Sequence, residues 1–121
     1  MKNTKAFYYL FFVVLIGICQ ACGSMKSDIK QWLSLHEDFI VLAEKTIADM
    51  RIDSVEAVKL NEIQVNISGE ANRIREQYAG DEEKKLEALS IMRELHSETV
   101  FDRYNEALRR LYDCEGYELL Q

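Results

Sequence analysis

Residues 27–50 have the sequence SDIKQWLSLHEDFIVLAEKTIADM, in which apolar side chains recur every three or four positions. One line of side chains repeats every seven residues: Ile29, His36, Ala43 and Met50. This spacing is typical of a helix that buries one face along the seam of a left-handed bundle. Ser27 stands at the start as a candidate N-cap. The segment therefore predicts a helix over residues 27–50.

The second helix is predicted from its N-terminal capping pattern. Asp53 and Glu56 form a D-x-x-E sequence, which is typical of a capping box. Apolar residues at helical spacing follow, so we expect a helix over residues 54–79. Gly69 lies inside this segment and costs the helix about 1 kcal/mol relative to alanine.

Gly80 and Asp81 separate the second helix from a third. Glycine suits the left-handed position that ends a helix, and aspartate suits the cap that begins one. The apolar periodicity then continues, which predicts a helix over residues 82–113. Because the predicted loops are short, neighbouring helices should be antiparallel. The sequence thus predicts an all-α fold, an up-down-up antiparallel three-helix bundle over residues 27–121.

The composition agrees with a helical domain and argues against several classes of protein. The chain has 121 residues and no proline, whereas turns and edge strands of sheet proteins normally use some. Fifteen basic and 21 acidic residues give a formal net charge of −6. Phosphate binding needs clustered lysine and arginine, so nucleic acid is not an expected partner. A content of 48% hydrophobic residues argues against a disordered chain.

Residues 1–21 carry the pattern of a secretory signal peptide. Lys2 and Lys5 precede an uninterrupted apolar run, AFYYLFFVVLIGI, over residues 6–18. As a helix this run spans about 20 Å, which is short of the roughly 30 Å hydrocarbon core of a bilayer. A cleaved signal is therefore favoured. An uncleaved signal anchor in the inner membrane is kept as the alternative.

The end of this segment resembles the lipobox of bacterial lipoproteins. Ala21 directly precedes Cys22, and in that class a small residue precedes the cysteine that is lipidated. Cys19 occupies the third position before Cys22, where the class usually has an aliphatic residue. The resemblance implies cleavage between Ala21 and Cys22, a diacylglycerol on the Cys22 thiol and frequent acylation of its amine, for example by palmitate. Residues 22–26 would then be a lipidated N-terminus and short tether.

The implied processing changes the charge and the cysteine chemistry. It removes two of the 15 basic residues, leaving 13 against 21 acidic ones and a net charge of −8. Such a domain is repelled by anionic lipid, so membrane attachment would depend on the lipid at Cys22. Cys114 would remain as the single thiol. Gly23 follows Cys22 in place of the Asp that this class associates with inner-membrane retention, which favours the outer membrane.

Few side chains point to catalysis or metal binding. His36 and His96 fall on core-facing lines of the first and third predicted helices. They lack E-x-x-H and H-x-x-x-H spacings, so we interpret them as structural and keep a metal or small-ligand site at His36 and His96 as an alternative. Cys114 lies between Asp113 and Glu115, which should raise the pKa of its thiol and reduce its reactivity. We expect no catalytic residues, no cofactor and no enzyme activity.

The expected function is binding of another protein in the cell envelope, because long helical faces with interspersed charge are suitable docking surfaces. Trp32 is expected in the bundle core rather than against lipid headgroups. Tyr112 and Tyr117 would form a partner site if exposed; otherwise they would cover the end of the bundle. The sequence does not identify the partner.

Overall fold

The computed structural model describes the backbone of residues 2–121 and the side chains of residues 25–121. The predicted signal peptide and the Ala21–Cys22 site lie outside the described side chains. Over the described backbone the chain forms α-helices and one 3₁₀ helix without any strand: α1 (Lys2–Ile47), α2 (Ser54–Tyr78), α3 (Glu82–Glu94), α4 (Ser97–Tyr112) and the 3₁₀ helix Tyr117–Leu119. The predicted all-α class is confirmed. From Met25 onward, no helix is long and apolar enough to cross a membrane.

The central element is α1, because α2 and α4 both pack against it. The helix already includes Ser27, which is therefore not its N-cap. Met25 is buried in the core and Lys26 pairs with Glu94 at 2.9 Å, so the end of the predicted tether belongs to the folded domain. The helix ends at Ile47 rather than at 50, because Met50 takes a left-handed φ of 57°.

The capping box predicted for α2 is present. The Glu56 N–H donates to Asp53 Oδ1 at 2.7 Å, and the Asp53 N–H donates to Glu56 Oε1 at 3.1 Å. Such a cap contributes about 1 kcal/mol. α2 then runs back along α1, since the Tyr78 hydroxyl near its end donates to Asp28 Oδ2 near the start of the described α1 side chains, at 3.3 Å.

The third predicted helix, residues 82–113, is two helices in the structure. Leu95 and His96 separate α3 from α4. His96 has a left-handed φ of 55°, which a right-handed helix cannot continue. The Leu95 N–H donates to the Ile91 carbonyl at 2.9 Å and completes the last turn of α3. In the sequence, Met92, His96 and Val100 keep helical spacing across this break, whereas Leu95 and Phe101 lie off that line and pack against the core.

Two clusters of apolar side chains form the core. The first comprises Phe39, Ala43, Ile47, Ile52, Ala57, Leu60, Ile67, Ala107, Leu111 and Cys114. The second comprises Met25, Ile29, Leu33, Ile40 and Val100. Trp32 and Tyr104 pack against both clusters and so join them. Burial of each large side chain contributes about 1.5–3 kcal/mol before the entropy cost of ordering it.

The α1–α2 turn is joined to the segment that follows α4. The Ile52 N–H donates to the Glu115 carbonyl at 2.7 Å, and the Glu115 N–H donates to the Met50 carbonyl at 3.0 Å. Gly116 follows with φ of 90°, and a Cβ there would overlap the Ile52 carbonyl oxygen. Glycine is therefore required at this close approach of the two segments.

The last residues are held against α2 by one side chain. Asn61 Nδ2 donates to the Leu119 carbonyl at 3.0 Å, and the Gln121 N–H donates to Asn61 Oδ1 at 3.0 Å. Leu120 packs against the first core cluster. Residues 117–121 thus fold back onto the bundle end.

Candidate functional site

His36 lies in the interior among three aromatic rings. Its side chain is 4% exposed. The ring centroids of Trp32 and Tyr104 lie 4.9 Å from that of His36, and the centroid of Phe101 lies at 5.3 Å, all edge to face. Edge-to-face pairs at these distances are favourable. The imidazole therefore serves as a packing element between α1 and α4.

Burial favours the neutral form of His36, and its hydrogen bond identifies the protonated ring nitrogen. Its Nδ1 lies 2.8 Å from the Trp32 carbonyl oxygen, which can only accept, so Nδ1 carries the proton. Burial lowers the pKa of His36, and the hydrogen bond to the Trp32 carbonyl opposes this in part. Trp32 lies in the core as expected, and within residues 25–121 its buried Nε1–H finds no acceptor.

The structure places the two histidines in different surroundings. His96 is exposed, which corrects its predicted core-facing position, and it lies beside Met92 and Ser97 at the α3–α4 break. The left-handed φ of His96 interrupts the helix, so its side chain does not continue the row of core-facing residues that includes Val100. Among residues 25–121, no three His, Cys, Asp or Glu side chains are grouped to hold a metal ion.

A surface of apolar side chains lies at the end of the bundle where α1 and α4 end and α2 begins. We call it the tip surface, and its residues are between 43% and 65% exposed: Met50, Val55, Val58, Tyr112, Tyr117 and Leu119. The rings of Tyr112 and Tyr117 lie 6.2 Å apart at 60°. Among residues 25–121, six of the ten exposed large hydrophobic side chains thus belong to one end of the molecule. Scattered exposed apolar residues are ordinary, but this grouping is not scattered.

The tip surface is surrounded by negative charge. Residues 49–62 and 113–121 together contain seven acidic and two basic residues. Burial raises the pKa of the Cys114 thiol, and the nearby carboxylates of Asp113, Asp49 and Glu56 raise it further, against an opposing contribution from Arg110. Acidic side chains from three separate segments therefore lie close enough to Cys114 to raise the pKa of its thiol.

The opposite end of the bundle is held by ion pairs. Arg73 on α2 binds Glu70 and also Asp28 on α1, at 2.8 Å for the second pair. These bonds raise the pKa of Arg73 above its ordinary value. Lys26 lowers the pKa of Glu94 through a hydrogen bond of 2.9 Å. The Lys26–Glu94 pair is exposed on both sides and so contributes little stability, whereas the carboxylates of Asp28 and Glu70 are 17% and 16% exposed.

A shallow groove lies between α1 and α4. Its volume is about 270 Å³, and its lining mixes both signs of charge over an apolar floor: Glu44, Ile47, Asp102, Arg103, Glu106, Ala107 and Arg110. Arg109 beside it pairs with Glu106 at 2.6 Å, which lowers the pKa of Glu106.

Comparison with known proteins gives no functional assignment for this chain. No family model, no curated protein and no solved structure matches this chain. Of the residues singled out in the sequence, His36 and Trp32 meet in the core, whereas Tyr112 and Tyr117 meet on the surface. Met50, Val55 and Val58 were not singled out as surface residues, because Met50 and Val55 follow helical core spacing in the sequence.

Proposed function

We propose that this protein is a non-enzymatic lipoprotein of the cell envelope, held on the membrane by a lipid on Cys22, whose helical domain binds another protein. The anchor is supported by the apolar run over residues 6–18 and by the Ala21–Cys22 pair. Binding is supported by one observation above the others: Tyr112 and Tyr117 are 62% and 49% exposed, although their backbone is fixed. Aromatic side chains are enriched in protein interfaces.

The position of the tip surface suits this role. The part of α1 from Met25 to Ile47 is about 33 Å long at 1.5 Å per residue. Because the lipid would be attached just before Met25, the tip lies at the other end of this helix. An upright domain would present Tyr112 and Tyr117 away from the bilayer, toward partners in the envelope.

The up-down-up arrangement is part of the same proposal, with α3 and α4 together as the third leg. α4 follows α1 in the same direction, since Val100 shares a cluster with Ile29 and Leu111 shares a cluster with Ile47. α2 runs in the opposite direction. Such a bundle places one set of helix ends at the membrane and the other set at the tip.

Two alternatives are retained. An uncleaved signal anchor in the inner membrane would leave the domain on the same surface with residues 1–21 still attached. A small-ligand or metal site using His36 and His96 would require both imidazoles to move, because one is buried and the other exposed. Between the two membranes, Gly23 after Cys22 favours the outer one.

Photo-cross-linking tests the binding role. A photoreactive amino acid in place of Tyr117 should yield a discrete adduct with another protein in intact cells. The matched control places it at Ser90, an exposed residue of α3 away from the tip. A discrete adduct at 117 and none at 90 supports the proposal; no adduct at 117, or the same adducts at both positions, contradicts it.

A further inference from the structure

The exposed apolar side chains of the tip surface come from the α1–α2 turn, the start of α2, the end of α4 and the C-terminal segment. Val58 lies one turn before Asn61 on α2, and the Asn61 amide holds the Leu119 carbonyl at 3.0 Å. Leu119 follows Tyr117 in the 3₁₀ helix, and Tyr117 packs on Tyr112. Hydrophobic contact area is thus contributed by three separate segments that meet at one place.

This face is held in position by backbone contacts. The hydrogen bonds between Ile52 and Glu115 and between Glu115 and Met50 join the two sides of the tip. Gly116 allows the close approach, and Asn61 makes two hydrogen bonds to the last residues. A surface that is already ordered loses little conformational entropy when it binds, which favours affinity.

The negative charge around the face favours a cationic binding partner over an anionic one. The two segments of the tip, residues 49–62 and 113–121, have a net charge of −5, against −6 for the whole chain. A second copy of this protein would bring the same negative charge and be repelled, and so would an anionic membrane surface. A cationic partner is attracted, and lysine or arginine can also lie over the faces of Tyr112 and Tyr117.

We infer that the tip surface binds a cationic amphipathic segment of a partner protein, with its apolar side chains on Tyr117, Leu119 and Val58 and its lysines or arginines against Glu118 and, in competition with Arg109, against Asp113. This inference rests on the proposed protein-binding function and specifies the chemistry of the partner. Asp113 directly follows Tyr112 and Glu118 directly follows Tyr117, so both kinds of contact are available to one short segment.

The test uses the protein extracted from membranes, in detergent, and three fluorescent peptides of equal length. One peptide combines lysine with leucine, the second combines glutamate with leucine, and the third combines lysine with serine. Fluorescence anisotropy should show binding of the Lys/Leu peptide, weakened by added salt. The Glu/Leu and Lys/Ser peptides should bind at least about tenfold more weakly, because each lacks one of the two contributions.

Matched variants locate the binding. Tyr117→Ala and Glu118→Lys should each weaken binding of the Lys/Leu peptide about tenfold or more. Leu86→Ala and Glu87→Lys remove an exposed leucine and an exposed acid from α3, away from the tip, and should leave the affinity unchanged. Circular dichroism checks that each variant is folded.

Other outcomes would overturn the inference. These are absence of Lys/Leu binding, equal binding of the Glu/Leu peptide, equal loss in the α3 variants, or a dimer that Tyr117→Ala dissolves. The photo-cross-link at position 117 separates this inference from the proposed function. An adduct in cells without selective cationic binding rejects the partner chemistry alone, whereas no adduct rejects both.

Discussion

The Nδ1 atom of His36 lies 2.8 Å from the carbonyl oxygen of Trp32, one turn earlier on α1. This bond holds the imidazole edge-on against the rings of Trp32, Phe101 and Tyr104. α1 and α4 therefore meet through a histidine whose pKa is lowered by burial. Protonation would place an uncompensated charge among apolar rings, which is costly.

We expect the free energy of unfolding to fall as the pH is lowered below 6.5. Because burial lowers the pKa of folded His36 from its ordinary value of 6.5, the unfolded chain binds the proton more readily. The contribution of His36 is complete above pH 6.5 and is lost as the pH falls through the folded-state pKa. Urea titrations from about pH 7.5 to about pH 5 measure this slope.

The variant His36→Gln should lose most of that slope, whereas His96→Gln should retain it, because His96 is exposed. Each unit by which the folded-state pKa is lowered corresponds to about 1.4 kcal/mol. An unchanged slope in His36→Gln would mean that other groups cause the acid sensitivity.

His96→Gly should stabilise the protein by about 0.5–1 kcal/mol. The left-handed φ of 55° costs a β-carbon residue about 1–2 kcal/mol, and glycine avoids this while losing part of the gain to chain entropy. His96→Ala should bring no such gain. If residues 82–113 were one continuous helix, the signs would reverse, with alanine stabilising and glycine destabilising. Thermal unfolding of both variants decides between the two structures.

Gly116→Ala should destabilise the protein by about 2 kcal/mol or more, because its Cβ would overlap the Ile52 carbonyl and its φ is 90°. Gly69→Ala is the matched control. A Cβ at Gly69 meets nothing within 4 Å, and the position is inside α2, so this change should stabilise by about 1 kcal/mol. Chemical denaturation measures both, and equal effects would argue against the close approach at the tip.

The Cys114 thiol should react slowly in the folded protein. It is buried, its Sγ donates to the Arg110 carbonyl at 3.6 Å, and burial raises its pKa. A thiol reagent at mildly alkaline pH should modify it many-fold faster in guanidinium than in buffer, because the thiolate is the reactive form. Rapid modification of the folded protein would show that the segment after α4 opens readily.

The sequence predicts those parts of the fold that local chemistry decides. Asp53 and Glu56 begin α2 through hydrogen bonds between near neighbours, and Gly80 and Asp81 mark the next boundary for the same reason. The break at His96 carries no glycine or proline, and the line through Met92, His96 and Val100 keeps helical spacing across it. Leu95 and Phe101 lie off that line and pack against the second core cluster, which is the one sequence signal of the break.

The candidate site, like the fold, can be predicted from the sequence only in part. Tyr112 and Tyr117 are identifiable as aromatic residues near the end of the chain. Met50 lies on the predicted seam of the first helix and is exposed in the structure, where α1 ends at Ile47 and Met50 takes a left-handed φ. Whether an apolar residue faces solvent at such a junction depends on the tertiary arrangement.

The intact mass of the protein extracted from membranes tests the central claim most directly. The account predicts a chain that begins at Cys22 with acyl chains attached, and a Cys22→Ala variant that stays unprocessed at the mass of the full sequence. A wild-type chain that begins at Met1 without acyl chains would contradict the lipid anchor at Cys22.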